Sequence, residues 1–467
     1  VNGDSIIYDE NNVLQAGEHL YLYAGMRRGG RNYYGLDVTR RAVPKMLFKI
    51  EGGTGNFAKL GQTWSKMTLA KVMWDGSEKV VLFFGGGYDT NQDGNTYKQD
   101  DTTGNAVYMV DAKTGERLWW SSKTGSDLNI SDMKNSIPAS LSVVDIDGNG
   151  IVDYFFAADT GGRIFRVDLN SKNTSASDFA TGGMIASLSV DGNTPAAKAG
   201  NRRFYTKPSV SLIKDKDTGD YLNIVIGSGH RAHPLYTTDV ENRLYVIKDR
   251  LPYSTPSTYT VITEAAEDKT TLSTNESPDS TKLYNATSQM NGVEITGDLS
   301  QLLTKGAGWY VTFDTNGEKV LSQAATFAGA IFFNTFAPTP SGQLDAASCG
   351  ADTGQSTFYA LDLKWGTAAL NLEDGASQKL ANSGIAPRPV VIYRKGGGKS
   401  IAIGTEVIKD CRFEPEGCPI ETCDDEGNCT TETLQNNQCA DGNCFVTPVY
   451  WRQNNNEFNS GGAGGSN

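Results

Sequence analysis

The loop from Asp145 to Asp153 carries the residue types and spacing that best suit metal chemistry. Side-chain oxygens stand at its positions 1, 3, 5 and 9, and Gly148 and Gly150 allow a tight curl. Calcium takes about six to eight oxygen ligands, and a curled loop can supply both carboxylates and backbone carbonyls. The expected ligands of a Ca²⁺ ion are Asp145, Asp147, Asn149 and Asp153, with Ile151 acting through its backbone carbonyl.

The segments beside this loop have the pattern of β-strands and not of helices. Residues 141–144 precede it and residues 154–156 follow it, and both runs are apolar and rich in β-branched or aromatic residues. The pattern predicts an EF-hand-like ligand set on a turn between strands, which favours a structural or slowly exchanging ion. The alternative is a solvated turn rich in Asp, Asn and Gly.

A second polar loop has a similar but weaker pattern. Its candidate ligands are Asp89, Asn91, Asp93, Asn95 and Asp100. Because loops between strands naturally collect Asp, Asn and Gly, an ordinary turn is the favoured interpretation, with a second metal site as the alternative.

Catalytic signatures are scarce in this sequence. His230 and His233 could share a metal, but no neighbouring carboxylate or third histidine completes a signature, so we expect loop histidines bonded to the backbone. There is no Gly-x-Ser-x-Gly elbow and no Gly-x-x-x-x-Gly-Lys phosphate loop. These observations predict no catalytic residues and a protein that is not an enzyme.

Six of the seven cysteines fall in one short polar segment that is too poor in apolar residues to bury a core. Local disulfides would order such a segment, whereas zinc is disfavoured because no Cys-x-x-Cys occurs and no histidine is near. The pairing stays open, and one thiol of the odd total is free or pairs elsewhere. The disulfide candidates are Cys349, Cys411, Cys418, Cys423, Cys429, Cys439 and Cys444.

A recurring sequence pattern, called the repeated phrase below, indicates the strands that must position these loops. An apolar run ends in a Gly-rich turn, an aromatic-containing strand follows, and an Asp comes next; proline-containing segments lead into several of the runs. The phrase recurs at residues 32–37, 106–111, 162–168, 243–249 and 357–362. Three or four strands per unit predict an all-β fold, a modified β-propeller of about six to seven irregular blades. A β-sandwich followed by a second β-domain is the alternative.

We expect the propeller to span residues 1–455, followed by a flexible tail at 456–467. One insertion, at about 254–306, is predicted to hold a short helix near Leu299 to Leu303 but no core of its own. A second, stapled by disulfides, is expected at 411–444. The chain begins at Val1 without an initiator Met or a signal-peptide pattern, so we expect an excised fragment or a processed chain, with any targeting segment outside it.

Composition excludes some classes of function. There are 52 glycines and 20 tyrosines among 467 residues, which is typical of many strands joined by tight turns. The net charge of −12 argues against nucleic acid as a partner, because a phosphate backbone requires clustered Lys and Arg. No apolar stretch approaches the roughly 20 residues of a transmembrane helix.

The repeated phrase resembles the repeats of quinoprotein propellers, which makes a secreted quinoprotein-like enzyme or a sugar-binding propeller the alternative function. No two cysteines are adjacent, however, whereas quinoprotein dehydrogenases typically carry a vicinal pair. A closer resemblance is to the C-terminal domain of the PilC/PilY family of type IV pilus biogenesis factors and tip-associated adhesins. It rests on several motifs in the same order, at residues 25–34, 64–65, 85–89, 145–168 and 227–235.

This resemblance implies a modified β-propeller that is exported to the periplasm, outer membrane, cell surface or pilus tip of a Gram-negative bacterium. It implies partners among the minor pilins of the tip complex and on host or abiotic surfaces. The implied roles are support of pilus extension by opposing retraction, surface attachment and twitching motility. The family's calcium loop falls on Asp145, Asp147, Asn149, Ile151 and Asp153. The cysteine-rich insertion departs from the family pattern.

Overall fold

A computed structural model describes residues 19–40, 42–94, 99–192, 194–235, 240–266, 269–339, 354–394 and 398–408, together with the backbone of three later strands. Six sheets of three or more strands follow one another along the described chain, beside one two-stranded hairpin. Neighbouring strands pair mainly antiparallel within each sheet. This arrangement confirms the predicted all-β modified propeller.

The first three sheets use consecutive strands. Sheet 1 contains β1 (Tyr21–Gly25), β2 (Tyr33–Asp37) and β3 (Lys45–Ile50). Sheet 2 contains β4 (Thr68–Trp74), β5 (Ser77–Gly85), β6 (Ala106–Asp111), β7 (Arg117–Ser122) and β8 (Leu128–Asn129). Sheet 3 contains β9 (Ser142–Val144), β10 (Tyr154–Ala158), β11 (Arg163–Leu169) and β12 (Ala180–Ser187).

The later sheets carry the insertions. Sheet 4 contains β13 (Ser209–Lys214), β14 (Tyr221–Gly227), β15 (Arg243–Asp249), β16 (Thr263–Glu264), β17 (Lys282–Asn285) and β18 (Gly308–Thr312). Sheet 5 contains β19 (Lys319–Val320), β20 (Ala325–Phe327), β21 (Ala330–Ala337), β22 (Gln355–Asp362) and β23 (Ser377–Lys379). Sheet 6 contains β24 (Val390–Tyr393), β25 (Lys399–Ile403) and β26 (Glu406–Ile408).

Three further strands and three short helices complete the described elements. Strands β27 (Cys418–Cys423) and β28 (Cys429–Leu434) form the hairpin, and β29 (Phe445–Pro448) pairs with β13. The helices are α1 (Pro195–Ala199), α2 (Thr287–Met290) and α3 (Gly297–Lys305). Single 3₁₀ turns occur at Arg27–Gly29, Gly55–Phe57, Thr90–Asp93 and Ala176–Asp178. No helix in the described part of the chain is long and apolar enough to cross a membrane.

The hydrophobic core lies between the sheets and not inside any one of them. Five apolar clusters fill the five interfaces between successive sheets. Adjacent residues of one strand serve opposite interfaces because side chains alternate across a sheet. Phe155 packs toward sheet 2, for example, while Phe156 packs toward sheet 4. A strand buried on both faces must therefore be apolar at every position, which explains the continuous apolar runs of the sequence.

Strand β1 departs from the expectation that each apolar run is buried. Its residue Leu22 is 50% exposed, whereas the central residues of β5, β10, β14 and β21 are buried. The reason is its position in the first sheet, which, within the described parts of the chain, packs one face on sheet 2 through residues such as Tyr33 and Phe48.

The insertion at 254–306 belongs to sheet 4. Strands β16 and β17 extend that sheet by parallel pairing beside β18. Helix α3 contains the predicted helical segment, and Thr296 caps it by accepting a hydrogen bond from the backbone N–H of Leu299. Its buried leucines join the core between sheets 4 and 5.

Candidate metal centre

The acidic loop lies between β9 and β10, the first two strands of sheet 3. Its C-terminal end is anchored on the sheets: the Asp153 N–H donates to the carbonyl of Val144 at 2.9 Å, and the Leu169 N–H donates to the carbonyl of Asp153 at 2.7 Å. The Val152 N–H donates to the carbonyl of Lys71 in sheet 2 at 2.9 Å. The loop is therefore held by two neighbouring blades.

Three carboxylates of this loop converge. Asp145, Asp147 and Asp153 offer oxygen atoms that all lie within 4.8 Å of one another. Backbone donors orient two of these side chains: Gly148 and Gly150 donate to Asp145 at 2.8 and 2.7 Å, and Ile146 donates to Asp153 at 2.7 Å. The curl thus turns loop N–H groups toward the carboxylates.

The two glycines are required by the backbone conformation and not by lack of space. Gly148 and Gly150 adopt φ angles of 76° and 87°, in the region that other residues enter at a cost. A Cβ atom added at either position would meet nothing within 4 Å.

The electrostatics of the loop favour a bound cation. Burial raises the pKa of the Asp145 carboxyl, with a further contribution from the neighbouring carboxylate of Asp147. Burial likewise raises the pKa of Asp153, and both Asp147 and Asp145 add to the effect. Three acidic groups share one partly buried space, so a positive ion there would relieve their repulsion.

Asn149 is exposed at the crest of the loop, and Ile151 beside it is half-buried. The Asn149 amide donates from Nδ2 to Asp147 at 2.9 Å, while its Oδ1 accepts from the Ile151 N–H at 2.7 Å. All five predicted residues therefore belong to one curled segment, with the three carboxylates brought together. A donor set made only of oxygen suits a hard cation such as Ca²⁺ and does not favour softer transition metals.

The carboxylates of the second predicted loop go to separate partners. Asp89 is buried and accepts hydrogen bonds from the backbone N–H groups of Asn91, Thr102 and Thr103. Asp100 instead pairs with Lys123 at 2.9 Å. Asn91 lies in the 3₁₀ turn that Asp89 caps, and Asn95 lies outside the described residues.

Asp93, the remaining carboxylate of that loop, meets His230 and His233, with ligand atoms within 4.8 Å of one another. The prediction that no carboxylate lies near the two histidines is therefore wrong, because the His233 ring contacts Asp93 at 2.9 Å. A cation is disfavoured there: Arg28 pairs with Asp93 at 3.2 Å and Arg203 lies 3.1 Å from the His230 ring.

These contacts link loops of sheets 1, 2 and 4 to one another. Arg28 follows β1, Asp93 follows β5 and the histidines follow β14, and Arg28 also donates to the carbonyl of Ala232 at 2.9 Å. Burial and the neighbouring Arg203 lower the pKa of His230 to about 2, so this ring stays neutral. No sequence pattern could reveal this contact, because Asp93 and His233 are separated by 140 residues.

The disulfide predictions lie outside the described side chains. Cys349, Cys411, Cys439 and Cys444 are not among the described residues, and only the backbone is described for Cys418, Cys423 and Cys429. In the hairpin of β27 and β28, Cys423 and Cys429 are register partners. Disulfide bonding therefore stays a prediction.

Comparison with known proteins agrees with the observed fold. Residues 1–250 match the family model described as the PilY1 beta-propeller domain. A type IV pilus biogenesis factor PilY1 homolog of Xylella fastidiosa is 25% identical over 443 residues, covering 90% of this chain and 27% of the relative. The type IV pilus biogenesis factor PilY1 of Pseudomonas aeruginosa is 26% identical over 395 residues, covering 78% of this chain and 31% of the relative.

The chain thus spans roughly a third or less of the length of these curated relatives. Among solved structures, the C-terminal domain of Pseudomonas aeruginosa PilY1 matches with a TM-score of 0.55 at 17% identity, covering 84% of each chain. That likeness concerns the fold alone. Because the family model covers more than half of the 467 residues, this chain belongs to the family of the PilY1 beta-propeller domain.

Proposed function

We propose that this domain is the calcium-binding propeller of a type IV pilus biogenesis protein. The observation that carries the calcium assignment is the convergence of the Asp145, Asp147 and Asp153 carboxylates within 4.8 Å, in a loop held by two blades. Asn149 and Ile151 would complete the oxygen ligand set through the side-chain amide and the backbone carbonyl. When bound, calcium supplies positive charge that neutralises the three carboxylates.

The location of the loop indicates what an ion would stabilise. Strands β9 and β10 enter the core between sheets 2 and 3 through Val143 and Phe155, and the loop also bonds to Lys71 of sheet 2. Ordering this loop would therefore stabilise the joint between two blades. A ligand that binds only the folded state stabilises it by about 2.7 kcal/mol at a concentration one hundred times its Kd.

Membership of the PilY1 propeller family, together with relatives named as type IV pilus biogenesis factors, supports a role in pilus assembly. We include in the proposal an exported location in a Gram-negative bacterium and partners among the minor pilins of the pilus tip. The proposed action is support of pilus extension against retraction, with contributions to attachment and twitching motility. This is a binding and assembly role and not catalysis.

Calorimetric titration of Ca²⁺ into metal-free protein tests the site. We expect Asp147→Ala combined with Asp153→Ala to weaken binding by about a hundredfold or more, since two charged ligands are lost. A matched control is Asp217→Ala, in the exposed turn between β13 and β14, which occupies the corresponding position of sheet 4. Equal calcium binding by the double variant and the wild type would refute the site.

A separate experiment tests the pilus role. A strain lacking the protein should lose surface pili and twitching, and the wild-type gene should restore both. Normal pili and motility in the deletion strain would overturn the pilus role without affecting the calcium measurement. Reduction of an electron-accepting dye by the purified protein with an added quinone cofactor would favour the enzyme alternative.

A further inference from the structure

The centre of the propeller contains an open cavity of about 640 Å³. Its walls come largely from the short segments that lead into the first strands of sheets 2, 3, 4 and 6 and into β20, the second strand of sheet 5. The residue that stands two positions before β4, β9, β13, β20 and β24 lines the cavity in every case: Lys66, Ser140, Lys207, Gln323 and Arg388. The same position of five successive blades thus faces one space.

The charge of this cavity is opposite to that of the chain. The described residues that line it include five cations and no carboxylate, although the chain carries a net charge of −12. The cationic residues are Arg27, Lys66, Lys207, Arg231 and Arg388. A smaller adjoining cavity of about 240 Å³ shares Lys207 and Arg388 and also lacks carboxylates. Cations concentrated in a cleft attract anions and raise their local concentration.

Among the described residues, none of these five cations forms an ion pair with a carboxylate. Their contacts are neutral: Arg231 donates to the carbonyl of Leu321, and Arg388 donates to Gln323 Oε1 at 3.3 Å. The Arg27 guanidinium lies 5.4 Å from the centre of the Trp64 ring. The positive charge of the cavity is therefore left for a ligand to neutralise.

Two buried arginines elsewhere in the fold have carboxylate partners. Arg166 is fully buried and pairs with Asp168 at 2.6 Å and with Asp249 at 2.7 Å. Arg243 is also buried and pairs with Glu264 at 2.7 Å. A buried charge is normally compensated in this way because its desolvation is costly. The buried Lys248 ammonium instead donates to the backbone carbonyls of Leu303 and Thr304. The cavity differs from both cases because five cations line one space with no carboxylate among its described lining residues.

Mutual repulsion among the cavity cations agrees with this picture. Burial lowers the pKa of Lys207, and the nearby charges of Arg388 and Lys66 lower it further. Burial and the charge of Arg27 lower the pKa of Arg231. A bound anion would reverse both electrostatic effects.

Aromatic and hydroxyl groups complete the lining. Trp64 and Tyr205 stand on one side with ring centres 6.1 Å apart, so they offer flat apolar surface to an organic stem. The Ser322 hydroxyl on the wall is buried without a hydrogen-bond partner in the described structure. The volume lies within the range of about 300 to 1,000 Å³ that is usual for small-molecule pockets.

We propose that the central cavity binds a small organic molecule that carries at least two carboxylate or phosphate groups. Lys207 and Arg231 contact the anionic groups from the half-buried wall, while Lys66, Arg27 and Arg388 surround the opening. Trp64 and Tyr205 contact the stem of the molecule. This site is separate from the acidic loop, whose residues do not line the cavity.

Titration calorimetry on the full chain, freed of calcium by a chelating resin, tests this proposal. The probes are benzene-1,3,5-tricarboxylate and pyrophosphate, which distinguish carboxylate from phosphate ligands; acetate and glucose serve as controls. We expect saturable binding of at least one probe, weakened by added NaCl and absent for glucose. The variant Asp147→Ala with Asp153→Ala should bind the probe like the wild type.

Two pairs of substitutions locate the binding. Combining Lys207→Gln with Arg231→Gln should weaken probe binding at least tenfold. The control combines Lys172→Gln with Lys216→Gln, which remove the same charge from exposed turns and should leave probe binding unchanged. If the first pair does not fold, Lys66→Gln with Arg388→Gln serves, because both residues are exposed at the opening. Absence of binding by both probes, or binding insensitive to the cavity variants, would overturn the proposal. Binding of a hexaglutamate peptide, without binding of either small probe, would also overturn the proposal.

Discussion

The carboxylate of Asp153 accepts a hydrogen bond from the backbone N–H of Ile146 at 2.7 Å, so the last residue of the acidic loop is tied to its second. The backbone N–H of Asp153 in turn bonds to the carbonyl of Val144 at 2.9 Å. The side-chain bond of Asp153 closes the loop, and its backbone bond keeps the same residue paired with the end of β9. It explains how a flexible Asp- and Gly-rich segment can hold three carboxylates together.

The glycines of the acidic loop provide a test of the curled conformation. Gly150→Ala should lower the free energy of unfolding by about 1 kcal/mol, since its φ of 87° disfavours a residue with a Cβ atom. It should also weaken calcium binding, because the Gly150 N–H donates to Asp145 at 2.7 Å. Urea unfolding and calcium titration measure the two effects.

Gly219→Ala is the matched control for that substitution. Gly219 lies in the turn between β13 and β14 and has a φ of 83° with open space around it, so the same strain is expected. Calcium affinity should not change in this variant. Equal loss of calcium affinity in both variants would contradict a specific role of Gly150.

The buried guanidinium of Arg166 is expected to contribute strongly to stability. It joins Asp168 of its own strand to Asp249 at the end of β15, across the interface between sheets 3 and 4. Arg166→Met should destabilise the protein by about 3 to 5 kcal/mol in urea unfolding, because two carboxylates lose their buried partner.

The comparison for Arg166 is Lys79→Met, which breaks the partly exposed pair of Lys79 with Asp111 at 3.0 Å. Such pairs contribute about 1 kcal/mol or less. Similar losses for the two variants would show that burial does not govern these ion pairs.

Stability should depend on pH through Asp101. This side chain is 6% exposed, and burial raises its pKa to about 6. The unfolded chain has a pKa near 3.9 for Asp, so the folded state holds the proton more tightly. The stabilising contribution is complete below about pH 4 and falls by on the order of 3 kcal/mol as the pH rises through 6.

Urea unfolding between pH 4 and pH 7 measures this effect as a difference between variants. Asp101→Asn should remove this part of the pH dependence, whereas Asp217→Asn at an exposed position should leave it unchanged. An unchanged pH profile in Asp101→Asn would disprove the contribution of Asp101.

Helix α3 should be part of the cooperative core even though it belongs to an insertion. Leu302 is fully buried between sheets 4 and 5, so Leu302→Ala should cost about 2 to 5 kcal/mol in urea unfolding. Val293→Ala in the same insertion should cost less than about 0.5 kcal/mol, because Val293 is 54% exposed. A negligible effect of Leu302→Ala would place the helix outside the core.

Local patterns were sufficient for the strands of sheets 2 to 5 because these sheets pack on both faces. Phe155 and Phe156 are consecutive, and a strand that serves two interfaces must be apolar at both positions. The curl of the acidic loop was also predictable, since its candidate ligands and its glycines are neighbours in the chain. Leu22 marks the limit of this reasoning, because an apolar run does not reveal that its sheet is the first of the series.

The sequence by itself determined the repeated strands, the propeller class and the acidic loop, because all three depend on spacings of a few residues. Only the tertiary structure decided which distant residues share one space. Asp93 meets His233 across 140 residues, and Lys66, Lys207 and Arg388 meet in the central cavity because each occupies the same position in a different blade. Radial packing of the sheets brings these positions together, and no local pattern encodes that convergence.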